Sequence, residues 1–167
     1  MDRKELLERY NFEGRTLAYT AKEMGISKER VRQLYKHYGI VRKRPSKIRA
    51  GLRDLSESKV AWLAGLYEGE GCFLTVTVQG GYEQPRAVLN MTDVDVLETV
   101  INYLGFGNLY FINKSKDNSK WKDAHTLVYN GEDAAELMKT LLPWLHGRRA
   151  TKVKAVLENY EKGKVYT

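Results

Sequence analysis

The sequence predicts an α+β protein preceded by a small all-α domain, and three observations carry that expectation. Residues 1–40 show only the helical spacing of apolar side chains. Residues 41–55 are basic and interrupted by Pro45 and Gly51, as a linker would be. Residues 56–167 alternate helical segments with paired β-branched ones. Their order (helix, two strands, helix, two strands, helices) lays helices on one sheet face and leaves the other for a partner.

In chain order, KELLERY sets Leu6, Leu7 and Tyr10 on one side and NFEG ends it. TLAYTAKEMG places Leu17, Ala18, Ala21 and Met24 at helical spacing, with Gly25 as a left-handed stop. Ser27 offers an N-cap hydroxyl to KERVRQLYKHYG, whose Val31, Leu34 and Tyr35 face inward and whose end is Gly39. Two short helices on a tight Gly-Ile-Ser turn make a helix-turn-helix. With Ser27 at its head, the second helix shows Lys28, Arg30, Arg32, Gln33 and Lys36 outward, able to reach phosphates and base edges in a major groove. The plainer alternative is a packing module with a solvated basic face. The stretch TAKEMGISKERVRQLYKHYGI also resembles the helix-turn-helix domains of bacterial and phage DNA-binding proteins.

Residues 41–53 of the linker carry Arg42, Lys43, Arg44, Lys47, Arg49 and Arg53 without one acid. It reads as a solvated connector or as a tether tracking a phosphate backbone. Beyond it, AWLAGLYEGEG is a helix, CFLTVTVQ and PRAVLNMT are strands around the turn GGYEQ, and DVDVLETVINYLG is an amphipathic helix. GNLYFINK and AHTLVYN follow as strands joined by the polar SKDNSK; AELMKTLLPWL and TKVKAVLENY close the chain as helices.

Composition narrows the partners. The 167 residues carry a net charge of +7, with 43% apolar and 29% charged residues. The longest apolar run falls far short of the roughly 20 residues a bilayer span needs. The charged MDRKELLERY is no secretory signal. Cys72 is the only cysteine, which excludes an internal disulfide and a cysteine-rich zinc site. No glycine-rich phosphate loop is present, and His37, His125 and His146 are scattered. The expectation is a cytoplasmic or nucleoid protein whose partner is double-stranded DNA, with no membrane and no small-molecule substrate.

The chemistry concentrates in AWLAGLYEGEG. Ala61, Gly65 and Gly69 recur every four residues and share a helix face. Small residues so spaced allow two backbones to approach closely. The segment occurs once, so a paired helix requires a second chain, most simply a two-fold homodimer. Glu68 and Glu70 lie at the helix C-terminus, where the macrodipole disfavours acids. Two such ends side by side repel unless a cation lies between them, and an oxygen-seeking ion such as Mg²⁺ suits carboxylates and free carbonyls, Gly69 among them. A solvated acidic helix end stands as the alternative.

LAGLYEGEG resembles the signature of the LAGLIDADG homing endonucleases at Leu63, Ala64, Gly65, Leu66 and Gly71, with Glu68 and Glu70 as the acids. LNMTDVDVLETVINYLGFG resembles the family's strand-to-helix segment, and LLPWLHGRRATKV its late proline segment. The resemblance implies a LAGLIDADG-type αββαββα domain with an antiparallel saddle sheet. It implies site-specific, metal-assisted phosphodiester hydrolysis by a homodimer, with Mn²⁺ substituting for Mg²⁺ and Ca²⁺ supporting binding alone. It maps the metal-binding acid to Glu70, a structural acid at the dimer contact to Glu68, a water-ordering polar residue to Asp93 and a phosphate-stabilising base to Arg148, with Arg149 beside it. On the open face it implies Arg86 and Asn90 on the second strand, Tyr110 and Lys114 on the third, and Lys122 beyond. They alternate with Ala87, Leu89, Leu109 and Phe111. Leu74, Val76 and Val78 are expected inward and Thr75, Thr77 and Gln79 outward; the fourth strand's phase is open. A non-cleaving DNA-binding regulator or an intron RNA maturase on the same scaffold is the alternative function.

Overall fold

The computed structural model describes residues 2–12, 15–40, 46–79, 81–114, 116, 120 and 122–165. Arg42, Lys43 and Arg44 lie outside the described residues. The chain divides into two compact units that meet between Ser46 and Lys47.

The first unit comprises α1 (Arg3–Phe12), α2 (Leu17–Met24) and α3 (Lys28–His37). Thr16 caps α2 by accepting the Tyr19 N–H at 3.1 Å, and Ser27 caps α3 by accepting that of Arg30 at 3.1 Å. Between them Gly25 turns left-handed at φ 62, a conformation that leaves a side chain strained and a glycine at ease. Leu7, Leu17, Ala21, Val31, Leu34 and Tyr35 form the core.

In the second unit the order is α4 (Arg49–Arg53), α5 (Glu57–Gly69), β1 (Gly71–Thr77), β2 (Glu83–Met91), α6 (Val94–Leu104), β3 (Asn108–Ile112), β4 (Ala124–Asn130), α7 (Gly131–Leu141), a 3-10 turn (Leu142–Trp144) and α8 (Gly147–Val165). The four strands form one antiparallel sheet in the order β1-β2-β4-β3. Phe73, Ala87, Leu89, Leu127 and Tyr129 project to one side and join Leu63, Tyr67, Leu97, Val100, Leu137, Leu141 and Val153 from the helices in a continuous core. Each fully buried leucine there is worth about 1.5–3 kcal/mol over an exposed one. Burial pushes the Tyr67 and Tyr129 phenols well above their ordinary range; the Tyr129 hydroxyl donates to the Phe106 carbonyl at 2.9 Å.

The register corrects the expected phase of the first strand. Phe73 opposes Ala87 and stacks on Tyr67 (5.3 Å, 18°), so the odd positions of β1 face the helices. Thr75 and Thr77, expected outward, share that side with Pro85 and Glu83; Leu74 and Val76, expected inward, lie on the open face. One aromatic ring seeking the core outweighs two β-branched residues that a strand accepts on either face. On β4, Leu127 and Tyr129 face the helices, which puts Thr126, Val128 and Asn130 on the open side. Phe111 keeps the helix-side phase yet remains 59% exposed, its ring tilted on His125 at 5.3 Å.

The second correction concerns the linker, which ends before residue 47. Ile48 is fully buried, and a Cβ on Gly51 would lie 2.5 Å from the Leu104 carbonyl oxygen, so α4 packs tightly on α6. Arg49, expected on a phosphate backbone, instead reaches Glu132 (3.1 Å) and Glu136 (3.4 Å) of α7. The Lys47 ammonium lies over the Phe106 ring at 4.1 Å. The counter-charges for Arg49 are more than 80 residues away in sequence (separation 83 for Glu132). Arg49→Ala is expected to destabilise the second unit by about 2 kcal/mol in urea unfolding, because the largely buried Glu132 carboxylate is left without its guanidinium. DNA affinity of the folded variant should change little; a large loss of affinity at unchanged stability would restore the tether.

Candidate nucleic-acid interface and nuclease site

α5 ends at Gly69, and Glu70 is its C-cap, with φ −109 and ψ −11 and its N–H returned to the Leu66 carbonyl at 2.9 Å. Its carboxylate is exposed at the helix's negative end. Gly71 is obligatory for packing: a Cβ there would lie 2.4 Å from a Tyr67 ring carbon and 2.6 Å from the Tyr67 carbonyl oxygen. The opposite holds for Gly65 and Gly69, where an added Cβ meets nothing within 4 Å. They lie with Ser58, Ala61, Trp62 and Leu66 on the side of α5 turned away from the buried Leu63, Ala64 and Tyr67. Trp62 is 41% exposed, edge-on to Tyr103 at 5.6 Å. The expected contact stripe is therefore open within one chain.

The two helix-end acids have different surroundings. The Glu68 carboxylate accepts the His146 N–H at 3.2 Å, next to the start of α8, and its carbonyl accepts from Arg149 Nε at 3.2 Å. These bonds clamp the C-terminus of α5 to the N-terminus of α8, where an anion and a cation each meet the favourable dipole end. Arg149, expected on DNA, is thereby held by a backbone carbonyl and half buried, whereas Arg148 beside it is exposed. Asp93 is the N-cap of α6 with no capping bond from its side chain, and it too is exposed. Among the described residues, no group of three or more His, Cys, Asp or Glu side chains could hold a metal ion. Glu70 and Asp93 both present exposed carboxylates.

The helix-free face of the sheet is organised in rows across the strands. One row runs Leu74, Arg86, Asn130; the next Cys72, Val88, Val128, Asn108; the next Asn90, Thr126, Tyr110. Arg86, Asn90 and Tyr110 lie on the expected side. At the sheet's end Thr92, Lys114, Lys120 and Lys122 line a recess of about 480 Å³, which gathers two of the expected cations, Lys114 and Lys122, with one that sequence reasoning missed. Thr126 and Asn130 were missed because the phase of β4 could not be read from AHTLVYN. In the first unit Ser27, Lys28, Arg30, Arg32, Gln33 and Lys36 are all exposed. Arg32 pairs with Glu29 at 3.0 Å and Arg30 donates to Gln33 at 3.1 Å.

Residues 2–37 match the family Sigma-70, region 4. No curated protein matches the chain by sequence. Among solved structures, the chain is similar to the homing endonuclease I-CvuI in complex with the I-CreI target in the presence of Mg, with the DNA not cleaved. The two are 22% identical over 64% of this chain and 68% of that one, with a TM-score of 0.51. It is also similar to the LAGLIDADG meganuclease I-AabMI bound to uncleaved DNA, at 20% identity and a TM-score of 0.51. There the match covers 64% of this chain but only 37% of the other. Meganuclease I-SmaMI bound to uncleavable DNA matches at 14% identity and a TM-score of 0.51, over 64% of this chain and 38% of that one. The larger unit has the fold of the LAGLIDADG homing endonucleases, preceded in sequence by a helix-turn-helix.

Proposed function

We propose that this chain is a site-specific endonuclease of double-stranded DNA that acts as a homodimer, with its helix-turn-helix extending the recognised site. The observation that carries the proposal is the outward side of α5. It joins Ala61, Trp62, Gly65, Leu66 and Gly69 and ends in the exposed Glu70. A solvent-facing helix side is ordinarily polar; apart from Ser58 this one is small or apolar, a surface that a second copy of the same helix would cover. Pairing brings two Glu70 carboxylates and two sets of helix-end carbonyls, Gly69 included, to one place.

The donor set suits a hard divalent cation as half of a site: a carboxylate and carbonyl oxygens, completed by the partner copy and by phosphate oxygens. Mg²⁺, or Mn²⁺ in its place, supplies the Lewis acidity that lowers the pKa of the attacking water and offsets charge on the phosphate. The protein's own share is placement. Glu70 would hold the ion, Asp93 would accept a hydrogen bond from the hydrolytic water, and Arg148 would meet the charge that develops on the scissile phosphate. Glu68 and Arg149 hold α8 against α5, keeping Arg148 in position. The open sheet face enters the major groove, whose width admits a two-stranded ribbon. The solved neighbours support this reading: they are complexes with DNA, and I-CvuI with its own target is recorded in the presence of Ca.

A transcription regulator on the same scaffold is the second reading, favoured by the match of residues 2–37 to Sigma-70, region 4. Incubation with a duplex library in Mg²⁺ and, separately, in Ca²⁺ decides between them. The nuclease reading expects retained duplexes in Ca²⁺ and defined new ends in Mg²⁺; retention in both with no new ends rejects it in favour of the regulator.

A further inference from the structure

Asn130 occupies the N-cap of α7, the position where an asparagine oxygen ordinarily accepts a backbone N–H of the first turn. It makes no such bond. Its Oδ1 instead accepts from Arg86 Nε at 2.7 Å, directly across the β2–β4 pairing. A capping bond of this kind is worth about 1 kcal/mol, so the helix forgoes a stabilising contact in favour of a guanidinium on the open face. The next residue, Gly131, has φ 58, a left-handed turn between β4 and α7. Leu74 flanks the Arg86 stem from the other strand.

Resting on the endonuclease reading above, we infer that Asn130 is a positioning residue that aims Arg86 at a guanine in the recognised duplex. The bond uses Nε only. It fixes the plane of the guanidinium and leaves both terminal nitrogens as a fork, the geometry that pairs with guanine O6 and N7. The acceptor is also neutral. An aspartate there would fix the plane equally well but cancel the charge the base edge attracts; the amide oxygen orients Arg86 and leaves its charge available. The residues next to this pair in the adjacent row, Val88 and Val128, are apolar; Asn108 stands at the far end of that row, on β3.

The experiment is selection of bound duplexes from a randomised library by the full chain, its Arg86→Ala, Asn130→Ala and Asn130→Asp variants and the Arg86→Ala/Asn130→Ala double variant, with thermal melting of each. The wild type is expected to enrich guanine at one position per half-site. Arg86→Ala should lose that preference, and Asn130→Ala should relax it about tenfold at the same position while other positions keep theirs. The double variant should be no worse than Arg86→Ala. Asn130→Asp should retain the guanine but weaken overall affinity. Each variant is read at a temperature where melting shows it folded, so a stability loss does not mimic a loss of preference. A merely structural Asn130 would lower stability or weaken all positions alike, and that outcome overturns the inference, as does an Arg86-dependent position that is not guanine. If no variant, wild type included, selects any sequence, the DNA-reading proposal fails with it.

Discussion

Glu70→Gln is expected to bind its duplex as the wild type does and to cleave it on the order of 10³-fold more slowly. The two side chains are nearly isosteric and the position is exposed, so the fold should be unaffected. Stability should if anything rise slightly, since removing an acid from a helix C-terminus is worth about 0.3–1 kcal/mol. The dimer should also tighten in the absence of divalent ions, because two like charges no longer face each other across it. Single-turnover cleavage, duplex retention in Ca²⁺ and sedimentation in chelator measure the three effects. Unimpaired cleavage by this variant would place the metal elsewhere and remove the basis for the proposed mechanism.

The second large effect belongs to Gly65→Leu. Inside one chain the substitution should be tolerated: a Cβ there meets no neighbour within 4 Å, and leucine gains close to 1 kcal/mol over glycine in a helix interior. A side chain on that surface would hold two copies of α5 apart and forfeit the close approach on which the paired site depends. The expected result is a chain that melts at or above the wild-type temperature, sediments as a monomer and cuts no DNA. A monomeric wild type, or a dimeric and active Gly65→Leu, would contradict the proposed pairing. Gly71→Ala is the internal contrast, because its new methyl would press on Tyr67 and destabilise the chain itself by about 1–3 kcal/mol.

The fold was legible in the sequence wherever local chemistry decides. Ser27 as a cap, Gly25 as a left-handed stop, and the alternation of Ala87 and Leu89 with Arg86 and Asn90 each follow from a few neighbouring residues. What escaped depends on residues distant in the chain. The phase of β1 is set by Phe73 meeting a Tyr67 ring, and a run of Leu, Thr and Val fits a strand in either phase. Nothing near Arg49 predicts that Glu132 and Glu136 will neutralise it. The candidate site divides the same way. The place of Glu70 at the end of α5 was legible in the sequence, whereas the pairing of Asn130 with Arg86 could not be found without the cross-strand register that brings them together.

Within one short segment, three glycines answer to different masters. Gly71 is dictated by the molecule's own interior, so descendants of this sequence should retain it whatever task they take up. Gly65 and Gly69 have no such internal sponsor, and a lineage that abandoned self-association would be free to drift there first. Under the proposed pairing, relatives that keep the last glycine but have lost the other two would be recognisable, from sequence alone, as having given it up.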